Sequence, residues 1–320
     1  MRMKMYDDKY ILVTGAAGFI GVNLIRELNQ QGFKNLILVD DLGKTEKWKP
    51  LVGTHFMELI SKYQVFDWMM DHDSEIEAVI HLGACSDTTE RDCDFLLENN
   101  TQFSIHLAEV ALEKGYRFIY ASSAATYGDG SKGFSDQHEY LESLMPLNMY
   151  GFSKHMVDLW LLRQGVLNQV VGLKYFNIFG PYEESKGRMA SMVYHMSEQI
   201  KKTGKVCLFK SSDPAKFADG EQVRDFLYVK DAAKMTSSFL HNDLGGIYNV
   251  GRGEPSTWND LAKAVFKALH KPVNIEYIPM PEDLLGKYQN YTCADMSKWK
   301  EKPSTYSLEE GVIDALSTKY

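Results

Sequence analysis

The feature that most constrains this chain is an apolar run, Tyr10-Ile-Leu-Val-Thr14, that feeds directly into Gly15-Ala-Ala-Gly18-Phe-Ile-Gly21. From Ile20 to Gln30 apolar residues then recur at three- and four-residue spacing, the pattern of an amphipathic helix. A strand that ends in a glycine turn and continues as a helix is the first unit of a parallel sheet covered by helices. The glycines permit a tight turn and close backbone approach, leaving N–H groups at the helix start facing an anionic group such as a pyrophosphate. The spacing is Gly-x-x-Gly-x-x-Gly, so its weight comes from the strand–turn–helix context.

The first half repeats this alternation. Further strands are expected at Asn35–Asp40, Glu77–His81, Arg117–Ser122 and Val170–Phe176, with a helix over Phe95–Glu113. Asn177–Ser191 is rich in Gly, Pro, Ser and charge, and reads as a long functional loop. Later strands are expected at Asp225–Val229, Ile247–Val250 and Ile275–Ile278, with a polar stretch at Lys210–Gln222. The expected fold is α/β: a Rossmann-type doubly wound parallel sheet with a smaller α/β substrate domain built mainly from the C-terminal half. Residues 1–176 form the dinucleotide-binding domain, segments near 225–250 return to it, and 177–320 form mainly the substrate domain.

Charge narrows the partners. The chain carries 35 Lys and Arg against 43 Asp and Glu, a formal charge of −8. That disfavours nucleic acid and anionic membranes, so an anionic small molecule must be met by a few placed cations and backbone N–H groups. Cys85, Cys93, Cys207 and Cys293 form no Cys-x-x-Cys or zinc spacing. Reduced thiols, no metal and a soluble cytoplasmic protein are expected, since no apolar run reaches a bilayer's thickness and the polar start is unlike a signal peptide.

Asp40 ends the second expected strand, where a carboxylate would accept hydrogen bonds from a ribose and favour NAD. Lys44 and Lys47 follow, and either could meet a 2′-phosphate and favour NADP. These residues by themselves leave the choice open. Tyr150-Gly-Phe-Ser-Lys154 spaces a phenol and an ammonium by one helical turn. Tyr182 and Lys186 share that spacing, but they follow Gly180-Pro181 in a loop. Tyr150 lies downstream of the serine-rich turn Ser122–Gly128, and Ser123 can hydrogen-bond a reacting oxygen. A tyrosine with an ordinary pKa near 10 is a weak base, and a neighbouring ammonium favours its phenolate. Ser123, Tyr150 and Lys154 together suit proton removal from an alcohol while hydride leaves its carbon.

With these motifs the chain resembles the extended short-chain dehydrogenase/reductases that modify nucleotide sugars. Gly83-Ala-Cys-Ser-Asp-Thr-Thr-Glu90, Tyr120-Ala-Ser-Ser-Ala-Ala-Thr-Tyr-Gly128, Lys186-Gly-Arg-Met-Ala-Ser191 and Lys287-Tyr-Gln289 narrow the likeness to epimerases that invert C6 of an ADP-linked manno-heptose through a transient ketone. Relatives that eliminate water place an acidic pair where this chain has Ala124 and Ala125, which argues against dehydration. The resemblance implies Lys186 as a second acid/base serving the opposite face. It implies cofactor contacts at Gly15, Gly18, Phe19, Ile20, Gly21, Asp40, Asp41, Lys47, Lys62, Leu82, Gly83, Ala84, Cys85, Ser86, Asn99, Tyr150, Lys154, Ile178 and Lys186. Substrate contacts are implied at Ser123, Asn177, Arg188, His195, Phe209, Lys210, Ser211, Ser212, Arg224 and Tyr288. It also implies NADP, with Lys47 as the main determinant and NAD as the alternative, an ADP-sugar substrate, a place in lipopolysaccharide precursor synthesis, and a homo-oligomer, a pentameric ring. Departures from the pattern occur at Leu82, Tyr182, Arg188 and the lengthened loop over Asp213–Phe217. The other readings are a 4-epimerase of a different nucleotide sugar and a non-catalytic NADP-binding scaffold.

Overall fold

The structure is a computed structural model, and it describes residues 8–282, 289–301 and 303–318. In chain order the first half contains β1 (Tyr10–Thr14), α1 (Phe19–Gln30), β2 (Leu36–Val39), β3 (Glu58–Ile60), α2 (Val65–Asp71), β4 (Ile76–His81), α3 (Cys93–Leu96), α4 (Phe103–Lys114), β5 (Arg117–Ser123) and α5 (Met149–Arg163). Then follow β6 (Val171–Tyr175), β7 (Asn177–Phe179), α6 (Met192–Thr203), β8 (Val206–Phe209), β9 (Val223–Arg224), β10 (Phe226–Tyr228) and α7 (Val229–Ser238). The chain closes with β11 (Gly246–Val250), β12 (Ser256–Thr257), α8 (Trp258–Ala268), β13 (Ile275–Ile278) and α9 (Leu308–Ser317).

Seven strands form one parallel sheet in the order β11-β6-β5-β4-β1-β2-β3. Helices cover both faces, so its central strands are apolar on both sides: Ile11 and Val13 pack into one core while Leu12 packs into the other. The chain winds outward from β1 through β2 and β3, then crosses to β4 on the other side. That reversal opens a crevice beyond the C-terminal ends of β1 and β4, where such sheets bind ligands. A second lobe has its own core, in which Val193, Met196 and Ile200 of α6 meet Leu261, Val265 and Phe266 of α8. Phe19, at the start of α1, belongs to that core, so the glycine turn sits against the second lobe.

Three expectations change. The helix expected over Phe95–Glu113 is interrupted by a π-helical segment, Leu97–Gln102, between α3 and α4. Asn99 and Asn100 lie in that segment and make the polar contacts described below, the kind of site at which π-turns occur. Asn177–Ser191 is not all loop, because Asn177–Phe179 pairs in parallel with β10. The strand expected over Asp225–Val229 is cut at both ends. β9 pairs with β12, and Val229 already begins α7. Between β9 and β10 the buried carboxylate of Asp225 accepts the N–H groups of Arg252, Gly253 and Ala294.

Candidate active site

One cavity of about 770 Å3 runs along the C-terminal ends of β1, β2, β4 and β5 and under the second lobe. The glycine turn forms its floor. Gly15 has φ +66°, and a Cβ there would lie 2.6 Å from the backbone nitrogen of Gly83. The first and fourth strand ends therefore close on each other only with glycine at 15. Helix α1 starts from Gly18 with no side-chain cap, and Gly18, Phe19, Ile20 and Gly21 line the cavity. Its first N–H groups are thus available to an anion.

At the end of β2, the Asp40 carboxylate accepts the Ala17 N–H at 2.8 Å, the Asp41 N–H at 2.7 Å and the Lys47 ammonium at 2.6 Å. Lys47 also reaches the Asp41 carbonyl at 3.2 Å. Asp40 therefore braces the glycine turn and holds a cation at the cavity's edge. Opposite, the Lys62 ammonium donates to Asn99 Oδ1 at 3.0 Å. The wholly buried Asn100 accepts the Cys85 N–H at 2.8 Å and donates to the Cys85 carbonyl at 2.9 Å, fixing the Leu82–Ser86 wall.

The start of α5 is set by Asn148, whose side chain accepts the Gly151 N–H at 2.8 Å. Gly151 lies against the serine turn, where an added Cβ would be 2.8 Å from the Ala125 carbonyl oxygen. This contact brings Tyr150 to Ser123, whose hydroxyl hydrogen-bonds the phenol. Burial raises the Tyr150 pKa and the Ser123 hydrogen bond opposes that rise. Lys154, one turn along α5, donates to the Ala121 carbonyl at 2.8 Å. Burial pulls its ammonium down to about 8, against the attraction of Asp158. It remains largely protonated at pH 7.

Lys186 enters from the second lobe, on the 3-10 segment Glu184–Met189, with its ammonium 5.1 Å from the centre of the Phe19 ring. Burial lowers its pKa while Glu183 raises it. The buried Glu183 holds this segment by accepting the Gly180 N–H at 2.9 Å, the Ser191 N–H at 2.5 Å and the Ser191 hydroxyl at 2.7 Å. Neither Glu183 nor Asn100 stood out in the sequence. A carboxylate and an amide in polar stretches carry no periodic signal, and only burial separates them from surface residues.

All residues expected at the cofactor line this cavity: Gly15, Gly18, Phe19, Ile20, Gly21, Asp40, Asp41, Lys47, Lys62, Leu82, Gly83, Ala84, Cys85, Ser86, Asn99, Tyr150, Lys154, Ile178 and Lys186. Ser123 and Asn177 line it as well, whereas Arg188, His195, Phe209, Lys210, Ser211, Ser212 and Arg224 do not. The Arg188 guanidinium points across the mouth to Asp87 at 2.6 Å and Thr89 at 2.7 Å. His195 turns its Nε2 to the Arg188 carbonyl at 3.2 Å. Phe209 ends β8, Lys210, Ser211 and Ser212 follow it outside the cavity lining, and Ser211 N–H is taken by Asp219 at 2.8 Å. Arg224 lies behind Trp258, 5.6 Å above a ring that does line the cavity. Tyr288 and Lys287 lie outside the described residues.

His81 is structural here, hydrogen-bonded to Thr14 and Ser104, with burial pulling its pKa down to about 3. All four cysteines are free thiols. Among the described residues no group of His, Cys, Asp and Glu could hold a metal ion, and no helix is long and apolar enough to cross a membrane.

A parallel sheet with a glycine turn at its switch point, and a phenol and ammonium one turn apart beside it, define a dinucleotide-dependent enzyme with an acid/base pair at its cofactor crevice. Residues 11–251 match the NAD dependent epimerase/dehydratase family, and the chain belongs to it. It is an epimerase with a nicotinamide dinucleotide cofactor. The chain is 47% identical, over 95% of both chains, to the ADP-L-glycero-D-manno-heptose-6-epimerase of Nitratidesulfovibrio vulgaris. It is 45% identical to the enzyme of that name from Fusobacterium nucleatum, over 95% of this chain and 96% of the relative. The crystal structure of the Helicobacter pylori ADP-L-glycero-D-manno-heptose-6-epimerase superposes with a TM-score of 0.79 at 28% identity, covering 97% of this chain and 96% of that one.

Proposed function

We infer that this chain inverts C6 of ADP-D-glycero-manno-heptose to the L-glycero epimer through a transient 6-ketone, with NADP as a retained cofactor. The observation that carries this reading is that two proton-handling side chains from different lobes, Tyr150 and Lys186, line one cavity. Inversion at an exocyclic carbon needs the ketone to show both faces in turn, so an acid/base on each side is useful. Identity of 45–47% to enzymes named for this reaction supports it.

The residues present suit the cofactor. Phe19–Gly21 offer uncapped N–H groups for a pyrophosphate, Leu82–Ser86 and Asn99 form a wall, and Lys62 adds positive charge. The Asp40 carboxylate is already engaged by two N–H groups and Lys47, which favours a 2′-phosphate held by Lys47 over a free ribose diol. When bound, the nicotinamide would accept a hydride from C6 and return it, leaving no net redox change.

The chain's own residues handle the proton. Tyr150 takes it from the C6 hydroxyl of one epimer, with Lys154 favouring phenolate and Ser123 hydrogen-bonded to the reacting oxygen. After rotation about the C5–C6 bond, Lys186 supplies the proton on the other side. Ser123 and Asn177 contact the substrate from the cavity wall. Arg188, His195, Phe209–Ser212 and Arg224 would reach it only after the second lobe closes, and Tyr288 is assigned to the same site on the resemblance alone. We assign 1–176 and 177–320 to cofactor and substrate, with β11 returning to the first, and we place the enzyme in the cytoplasm as a homo-oligomeric ring feeding lipopolysaccharide synthesis.

The test is to incubate the purified protein with ADP-D-glycero-manno-heptose and follow C6 by NMR. Conversion to a mixture of epimers without net NADPH formation is expected. Steady NADPH accumulation would instead make it a dehydrogenase. Turnover only of a UDP-hexose would make it a 4-epimerase.

A further inference from the structure

Beneath the serine turn lies a charged pair that the chemistry above does not use. Lys174 on β6 and Asp158 on α5 have fully buried side chains, with Nζ and Oδ2 2.7 Å apart. The remaining Asp158 contacts come from β5: Tyr120 donates to Oδ1 at 2.8 Å and Ser122 to Oδ2 at 2.8 Å. The Lys174 ammonium also donates to Thr126 Oγ1 at 2.5 Å and lies 5.1 Å from the Tyr127 ring centre. Thr126 in turn donates its hydroxyl to the backbone carbonyl of Ser123 at 2.8 Å.

The network thus touches β5, the serine turn and α5, the elements that carry Ser123, Tyr150 and Lys154. Asp158 sits one turn beyond Lys154 on α5, Ser122 precedes Ser123, and Thr126 grips the carbonyl of Ser123 itself. A buried ion pair is weak evidence for stability, because an apolar pair of similar volume commonly serves as well. What this pair supplies that an apolar pair lacks is direction. One ammonium with hydrogen bonds to two elements and one carboxylate with three donors fix the register of β5, the serine turn and α5.

We propose that Lys174, through Asp158 and Thr126, is a positioning residue for the epimerase reaction, locking Ser123 into register with Tyr150 and Lys154. This rests on the reading of Ser123, Tyr150 and Lys154 given above. Lys174 does not line the cavity, so it acts only through the groups it holds.

The test uses the full chain with its bound dinucleotide. Removing Lys174 alone would strand a buried carboxylate, so the charge-neutral double variant Lys174→Met/Asp158→Asn is used. The second variant, Thr126→Val, keeps the ion pair and removes the two hydrogen bonds by which Thr126 joins Lys174 to the Ser123 carbonyl. Expected for the double variant is a kcat loss of about 10–100-fold, the scale of a sub-ångström misplacement, with KM within about twofold and dinucleotide content unchanged. For Thr126→Val a smaller kcat loss at unchanged KM is expected.

Wild-type kcat in the double variant overturns the proposal, as does a fall in kcat accompanied by a raised KM and lost dinucleotide, which marks a merely structural role. If the double variant does not fold, Thr126→Val decides: lowered kcat at unchanged KM supports the proposal and wild-type kcat overturns it. Tyr150→Phe runs alongside. An active Tyr150→Phe refutes the underlying assignment, whereas an inactive one beside wild-type positioning variants refutes the positioning alone.

Discussion

Replacing Gly151 by Ala sets two effects of known size against each other. Gly151 lies in the first turn of α5, so intrinsic propensity favours Ala by about 1 kcal/mol or less. The new Cβ, however, would stand 2.8 Å from the Ala125 carbonyl oxygen and 3.3 Å from the Ala125 Cβ. Ordinary contact requires a retreat of roughly 0.5 Å. The carbonyl cannot simply swing aside, because it accepts the Gly128 N–H at 3.3 Å. The strain of such overpacking is about 1–3 kcal/mol, which outweighs the propensity gain, so the melting temperature should fall by about 2–5 °C. The larger effect is on rate. The retreat separates α5 from the serine turn, and a half-ångström error at Tyr150 against Ser123 predicts a kcat loss of about tenfold. Thermal melts and NMR-monitored C6 epimerisation measure both. A raised melting temperature with kcat intact would show that the turn is not registered on α5 through this contact.

Three further outcomes follow from the same geometry. Burial holds Lys154 near 8, whereas the unfolded chain keeps its charge to about 10.5. The folded protein therefore carries a disfavoured charge below pH 8, and its stability rises with pH between those values. Lys154→Met should stabilise the protein near pH 7 by about 1–3 kcal/mol, with the gain shrinking toward pH 10.5 and activity lost. Melts across that range decide it, and a less stable variant at pH 7 contradicts the sign. Lys186→Ala should lower epimerisation by about 10²-fold or more with the dinucleotide-to-protein ratio unchanged, and untouched turnover would end the two-base reading. Lys47→Ala should weaken NADP about tenfold or more relative to NAD by calorimetry, and an unchanged ratio would remove Lys47 from the 2′-phosphate.

The glycine turn was legible because its signal is local. An apolar strand, glycines and an amphipathic helix occupy about twenty consecutive residues, and β1 spans Tyr10–Thr14 as expected. The four inner strands follow for the same reason, since a strand buried on both faces is apolar over most of its length. Short pairings were less legible. β7 and β10 have three residues each, too few to alternate, and exist because they lie beside one another. Asn100 and Glu183 were missed because their importance lies in backbone groups 15 and 8 residues distant that they hold.

By itself, then, the sequence determined the inner strands of a parallel sheet and the order of the glycine turn, serine turn and Tyr150/Lys154, all consequences of neighbouring residues and strand or helix period. Only the tertiary structure decided what surrounds those groups. It committed the Asp40 carboxylate to Lys47, turned Arg188 toward Asp87, set Lys186 against Phe19 and buried Lys174 with Asp158 under the serine turn. Charges shift their pKa and choose partners according to burial and distance, and neither quantity exists until the chain has folded.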